Sequence, residues 1–453
     1  MMKNKLLSIL FTILLLASII SLLPASVAAD LTVSPGDNIQ TAINGIEDGG
    51  TIYFEPGTYT NQDILINGAI LQKSFSLVSI AGPEMTILDG AGNGNKHIID
   101  IINTDTTSFG TYEVIIDGFT ITNGTVSSVA SSSSGPATSI TNGGGMYISY
   151  SLVTLTNCIV TGNKAYASAT STGGPATATA RGGGLYAEWS DVTITNCAFT
   201  DNMAETAAQS TGYDASASSF GGALHLLESD PIITNCTFAG NLLSGSTIVY
   251  EWVPGIVSHT TTLGSGLYNS SSSPDITNCI VWDGISNSSG SAPSITYSNT
   301  MGGYPGIGNI STAPLFVDWP YDVSLSPDSP CIDAGTDTSG PAFGGVTDDI
   351  LGVPRPQGTA YDMGAYEYRR SQPASPWSPV SIMPLARTQL NNTLVTWNEL
   401  ATQLPEEPTD EMTALIERIQ EHMGNATGLA NPIYASGELA KAYALMDELL
   451  ELL

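Results

Sequence analysis

Two aspartates, Asp191 and Asp230, occupy the same position of neighbouring sequence units 39 residues apart, with Glu188 and Glu228 close by in the chain. Stacking of such units would set the two carboxylates about 5 Å apart. A pair at that separation can divide acid and nucleophile work on a glycosidic bond, or share a calcium ion. A plainer reading is two turn residues facing water, since the flanking units carry Leu152 and Ser273 there. Arg181 ends the segment that enters the second full unit. It is the basic residue best placed to abstract a proton, or else a solvated loop residue. A further column, Tyr147, Tyr186, His225 and Tyr268, offers rings that can stack on sugars, or on each other for stability alone.

What would position these residues is a repeat. Four 21-residue segments align without gaps: GGGMYISYSLVTLTNCIVTGN from Gly143, GGGLYAEWSDVTITNCAFTDN from Gly182, GGALHLLESDPIITNCTFAGN from Gly221 and GSGLYNSSSSPDITNCIVWDG from Gly264. Apolar residues alternate within each unit, which is strand period. One unit cannot bury its apolar side, but a stack can. The architecture expected is therefore all-β, a parallel β-helix solenoid. Asn157, Asn196, Asn235 and Asn278 then read as a stacked structural ladder. Cys158, Cys197, Cys236 and Cys279 read as buried free thiols beside it, because no CxxC pairing suggests zinc or redox chemistry. The Ala/Ser/Thr/Gly-rich insertions between units leave the coil at one corner. They are either flexible or paired into a sheet of their own.

The flanks divide the chain further. Residues 1–29 read as a signal peptide, with Lys3 and Lys5, an apolar run, then small residues up to Ala29. Uncleaved, that run is long enough to anchor in a bilayer, and no later segment is. Residues 30–300 form the solenoid, begun by a short helix bearing Ile39, Ala42, Ile43 and Ile46 that covers the first coil. Residues 301–370, dense in Gly, Pro and Asp, are expected to close the far end. Residues 371–386 are a Pro/Ser-rich linker, and 387–453 read as a helical tail module suited to docking on a protein partner.

The chain carries 12 Lys and Arg against 42 Asp and Glu, a net charge of −30. Such a surface repels nucleic acid and any polyanionic glycan that calcium does not bridge. Few basic residues remain in the solenoid to serve as a catalytic base.

The opening VSPGDNIQTAI and TIYFEPGTY, followed by the GGGLY…ITNC units, resembles the pectin-lyase-like superfamily of right-handed parallel β-helix proteins. Cys331-Ile332-Asp333-Ala334-Gly335, Arg355 and Asp362-Met363-Gly364-Ala365-Tyr366-Glu367-Tyr368 resemble the end segment of secreted choice-of-anchor Q domain proteins. The resemblance spans about residues 30–370. It implies the fold, and leaves activity open because the fold hosts lyases, hydrolases, esterases and non-enzymes. Within the end segment Arg355 is expected to pair with Asp333, with Asp362 and Glu367 as alternatives. The function expected is a secreted or cell-surface, non-catalytic, glycan-binding, adhesion or envelope-scaffold protein. The alternative is a calcium-dependent polysaccharide lyase or glycoside hydrolase. A third reading is a passive stalk held by its tail.

Overall fold

The computed structural model describes residues 30–369, apart from 61, 92, 107–109, 251–254, 321, 341, 342 and 344. The signal peptide, the linker and the helical tail lie outside the described residues.

The chain winds as a parallel β-solenoid with three faces. Face one has nine strands, among them Glu113–Asp117, Leu152–Thr156, Asp191–Thr195 and Asp275–Thr277. Face two has eight, including Ile159–Thr161 and Ala198–Thr200. Face three has seven, including Met146–Ser149 and Leu185–Glu188. Pairing is parallel and in register with the sequence repeat, so Val153 lies over Val192 and Leu155 over Ile194. Alternate residues point inward and build one continuous core, in which Phe199 stacks on Phe238 with centroids 4.9 Å apart. The helix Ile39–Gly45, capped by the Asn38 side chain on the Thr41 N–H, buries Ile39 and Ile43 against the first coils.

Each coil turns three corners, and all three use one device. An outer residue takes a left-handed backbone, and the next side chain turns inward. Between faces one and two the outer residues are Asn157, Asn196, Asn235 and Asn278, with φ of 50° to 53°. The inward ones are the cysteines. The Cys158 N–H donates to Cys197 Sγ at 3.4 Å, Cys197 N–H to Cys236 Sγ at 3.4 Å, and Cys236 N–H to Cys279 Sγ at 3.4 Å. Each thiol donates in turn to a carbonyl two residues back. All five cysteines are free and buried.

Between faces three and one, serines do the same. Ser151 N–H donates to Ser190 Oγ, and Ser190 N–H to Ser229 Oγ. Between faces two and three the side chains are Asn163, Asn202 and Asn241. Asn163 Nδ2 donates to Asn202 Oδ1 at 3.0 Å, Asn202 Nδ2 to Asn241 Oδ1 at 3.0 Å, and Asn241 Nδ2 to Asp283 Oδ2 at 2.7 Å. This is the continuous asparagine ladder. The column at Asn157 has one side-chain rung, Asn196 Nδ2 to Asn157 Oδ1 at 3.2 Å. Its residues face outward, and asparagine suits them because it tolerates left-handed φ.

The insertions pair into two sheets of their own. Thr125–Ser132, Lys164–Ser171, Met203–Thr211 and Leu242–Tyr250 form one parallel sheet. Ala137–Asn142, Ala176–Arg181, Ala215–Phe220 and Ser258–Leu263 form the other. Between them lies a core of alanines, among them Ala165, Ala167, Ala178, Ala180, Ala204 and Ala217. The GGG motifs mark where this flange rejoins the coil. Gly182 has φ +63°, and a Cβ at Gly183 would sit 2.4 Å from the Gly222 carbonyl oxygen of the next coil.

The last segment does more than close the end. Residues 304–309 cover the final coil, where Asn309 Nδ2 donates to the Ile295 carbonyl and Tyr304 meets the core. From Phe316 onward the chain turns back along the flank. Val323, Ile350, Ala365 and Tyr366 cover Ala198 and Ala239 of face two. The outer asparagines hold it: Asn278 Nδ2 donates to the Thr336 carbonyl, Asn235 Nδ2 to Thr338 Oγ1, and Asn196 Nδ2 to the Asp348 carbonyl.

Asn202→Ala removes two ladder rungs, to Asn163 and to Asn241, and orphans the Asn163 N–H. It is expected to cost about 1–3 kcal/mol in denaturant unfolding, more than Asn157→Gly, which keeps its left-handed corner. Equal losses would contradict the assignment of the ladder.

Candidate functional site

The returning segment leaves a cleft of about 680 Å³ against the solenoid. One wall is the corner between faces one and two over four successive coils, from Ser79 and Gly82 through Asp117 and Thr156–Asn157 to Thr195–Asn196. The other is residues 345–352. At the strand spacing of a parallel stack, four coils span about 14 Å.

The lining mixes hydroxyl, amide and carboxylate groups with apolar Ala81, Pro83, Val346, Ile350 and Leu351, and among the described residues it has no Lys, Arg or His. Asp117 accepts from Asn157 Nδ2 at 2.8 Å, and burial pushes its carboxyl up from the ordinary range, the asparagine bond opposing. Asp348 is exposed and accepts from Thr347 Oγ1. Asp349 is occupied: one oxygen takes the Leu351 and Val353 N–H groups, the other that of Glu367. Asn196 is 5% exposed and both its amide donations are satisfied, and among the described residues its buried Oδ1 has no hydrogen-bond partner.

A buried charge knot fixes the far wall. Arg355 pairs with Glu367 at 3.1 Å, both side chains fully buried. Arg355 also donates to the carbonyls of Asp362 and Gly364. Asp333, the partner first expected, instead accepts the Thr359 and Ala360 N–H groups. Asp362 accepts from the Asp333 and Tyr368 N–H groups. One guanidinium cannot balance three buried carboxyls. Burial pushes Asp362 up to about 7, and Asp349 and Glu367 also rise, chiefly through burial.

The residues singled out in the sequence lie elsewhere. Asp191 and Asp230 are exposed at the start of face one, two coils of one column. Asp230 Oδ1 accepts the Ser273 N–H at 2.5 Å. Arg181 is at the flange root, where its guanidinium donates to Asn142 Oδ1 at 3.2 Å. Tyr147, Tyr186, His225 and Tyr268 do form a column, extended by His97, with neighbouring centroids 5.0–5.7 Å apart. Its middle is covered, while Tyr147 and Tyr268 stay partly exposed. Tyr186 is 1% and His225 2% exposed, and Phe220 of the flange lies 4.7 Å from Tyr268. Glu188 is taken up by this column, accepting from the hydroxyls of Tyr147, Tyr186 and Ser149. Burial raises Tyr147 to about 12 and lowers His225 to about 3, with Arg181 adding to the latter. These groups join flange to solenoid. Among the described residues, no three His, Cys, Asp or Glu side chains gather where a metal ion could be held.

The sequence reading missed the cleft, because its second wall is brought back from about 150 residues downstream. The ladders of Ser151 and Asn163 were also missed, although the serines recur in all four aligned units, as the cysteines do, and the asparagines in three.

No protein-family model matches the chain, and no curated protein does. Three chains of solved structures match it. One, described as the crystal structure of pectate lyase Pel9A, is 14% identical, and the match covers 75% of this chain and 96% of that one with a TM-score of 0.24. A likeness that slight carries no argument about chemistry.

The knot makes the cleft wall pH-sensitive. An unfolded aspartate titrates near ~3.9, so folded Asp362 keeps a proton that the unfolded segment loses. Stability contributed by that proton is present at the acid end of the window and lost as pH rises through about 4 to 7. Amide exchange in residues 345–368, corrected for intrinsic rates, is expected to quicken from about pH 5 to about pH 8. Asp362→Asn should flatten that profile. A flat wild-type profile would contradict the assignment.

Proposed function

We propose that this chain is an extracellular or cell-surface solenoid that binds a neutral glycan in the cleft beside face one without cleaving it. The observation that carries this reading is a cleft across four coils whose polar lining is hydroxyls, amides and the carboxylates of Glu84, Asp117, Asp348 and Asp349, with apolar Pro83, Val346, Ile350 and Leu351 between them. Acceptors and amides in alternation suit the hydroxyls of a sugar, each of which both donates and accepts. The acidic surface and the lack of a lining cation favour a neutral ligand over a polyanion. Export rests on the signal-like first 29 residues, and anchoring to an envelope or protein partner on the tail beyond residue 386.

A second reading, a glycoside hydrolase, is favoured by one observation: the raised carboxyl of Asp117 in the cleft wall is the kind of group that serves as a general acid. A polysaccharide lyase is less well served, since Arg181, the base candidate, is tied to the flange away from the cleft.

Titration of the full mature chain with neutral and acidic oligosaccharides, with and without calcium, separates these readings. Neutral fragments are expected to bind and to yield no new reducing ends. Asp117→Asn is expected to weaken binding about tenfold. New ends that vanish in Asp117→Asn would establish the hydrolase. Binding of acidic fragments alone, dependent on calcium, would overturn the neutral-glycan reading.

A further inference from the structure

The corner between faces three and one carries an anomaly. Its outer residues take left-handed φ like those of every other corner: Asn103 at 56°, Tyr150 at 48°, Trp189 at 50°, Glu228 at 48° and Ser271 at 50°. Asparagine and glycine bear that conformation cheaply, and a bulky ring does not. Elsewhere the solenoid spends Asn, Asp or Gly on such positions, as at Asn157, Asp201 and Gly240. Tyr150 and Trp189 therefore put side chains where the backbone gains nothing from them. Tyr297 also has left-handed φ, 47°, but its ring is covered by the turn at Gly308.

The other two rings are half exposed, each at 49%. Their planes lie within 5° of parallel with centroids 6.2 Å apart, an offset stack that leaves part of each face bare. They stand at the heads of two paired strands of face one, Leu152–Thr156 and Asp191–Thr195, whose far ends, Thr156 and Thr195, line the cleft. The five strand residues span about 13 Å, and Tyr150 and Trp189 lie two residues beyond their heads, so rim and cleft share one face of the solenoid. Asp191, two residues past Trp189, is exposed and makes no side-chain hydrogen bond or ion pair among the described residues.

The geometry points to a second subsite at this rim, in which Tyr150 and Trp189 stack on the apolar C–H face of a neutral pyranose while Asp191 accepts from its hydroxyls. The occupant is the same glycan chain that enters the cleft, crossing face one from rim to cleft, so this assignment rests on the glycan-binding reading. Burial of ring and sugar faces removes apolar surface from water, and the electron-rich ring face meets the C–H groups. A charged polymer fits worse, because Asp191, Glu228 and Asp230 crowd this corner with no cation among its exposed neighbours.

The test is the double variant Tyr150→Asn, Trp189→Asn in the full chain. Asparagine is the better left-handed residue, so folding should be kept: the denaturation midpoint is expected to stay level or rise. Affinity for soluble glucan, mannan and xylan oligosaccharides, taking whichever the wild type binds, is expected to fall about tenfold for each ring lost. Trp189→Phe should retain most of the affinity that Trp189→Asn loses. Unchanged affinity in the double variant, alongside weaker binding by Asp117→Asn, would overturn the rim subsite and leave the cleft reading standing. Affinity that tracks folded stability, with Trp189→Phe no better than Trp189→Asn, would make the rings a structural stack and also overturn it. A wild-type chain that binds none of these sugars would overturn both.

Discussion

Each corner of the solenoid bends the chain out of its strand ladder and leaves a backbone N–H with no strand to receive it. In a stack of coils that group is buried, and an unmet donor there costs about 1–3 kcal/mol. The protein meets the demand from the next coil, with serine at one corner, cysteine at the second and asparagine at the third. The Asn-Cys pairs and the free state of the cysteines follow from this one requirement, whereas the 39-residue period is set by the flange excursion: the coil from Asp275 to Ser294 has none, and there Ser298 Oγ meets the Cys279 N–H. A disulfide in the column would take away the acceptor that a neighbouring coil needs. Burial also pushes the thiols of Cys197 and Cys279 up, which keeps them protonated and able to donate.

Because the inward residue carries the structure, the outward left-handed residue beside it is released for other work. At the corner between faces one and two it is asparagine. Three of those asparagines hold the returning segment, and the cleft forms where that segment stands off from the coils. At the corner between faces three and one the same position carries Tyr150 and Trp189. The flange solves a separate problem. Its alternating alanines let two sheets close on each other, and its root covers the middle of the Tyr147–Tyr268 column, so the rings first suited to sugar stacking are spent on attachment.

Much of this was legible in the sequence, and the limits are physical. The coil stack, the inward column at Leu155 and Ile194, the buried thiols and the capping helix at Ile39 all follow from short-range period. The flange was half legible: its composition left pairing and flexibility equally open, although Ala165, Ala167 and Ala169 alternate at strand period. The ladder placed at Asn157 keeps one rung, to Asn196, and its residues also make the left-handed turn, because stacking alone does not tell an inward from an outward residue. The cleft could not be read, since residues 345–352 are held there by the Asp348 carbonyl on Asn196, within a segment also tied at Thr338 to Asn235, both contacts made across more than 100 positions. Asp191 and Asp230 drew attention as a carboxylate pair; one is bound to a backbone N–H, and both stand open to water.

The most direct measurement is hydrogen–deuterium exchange of the full chain with and without a bound neutral oligosaccharide. The account requires protection at the corners around residues 79–82, 117–118, 156–157 and 195–196, and at 345–352 opposite them, with none in the flange. Protection confined to the flange, or to the tail beyond residue 386, would place the binding surface elsewhere and contradict it.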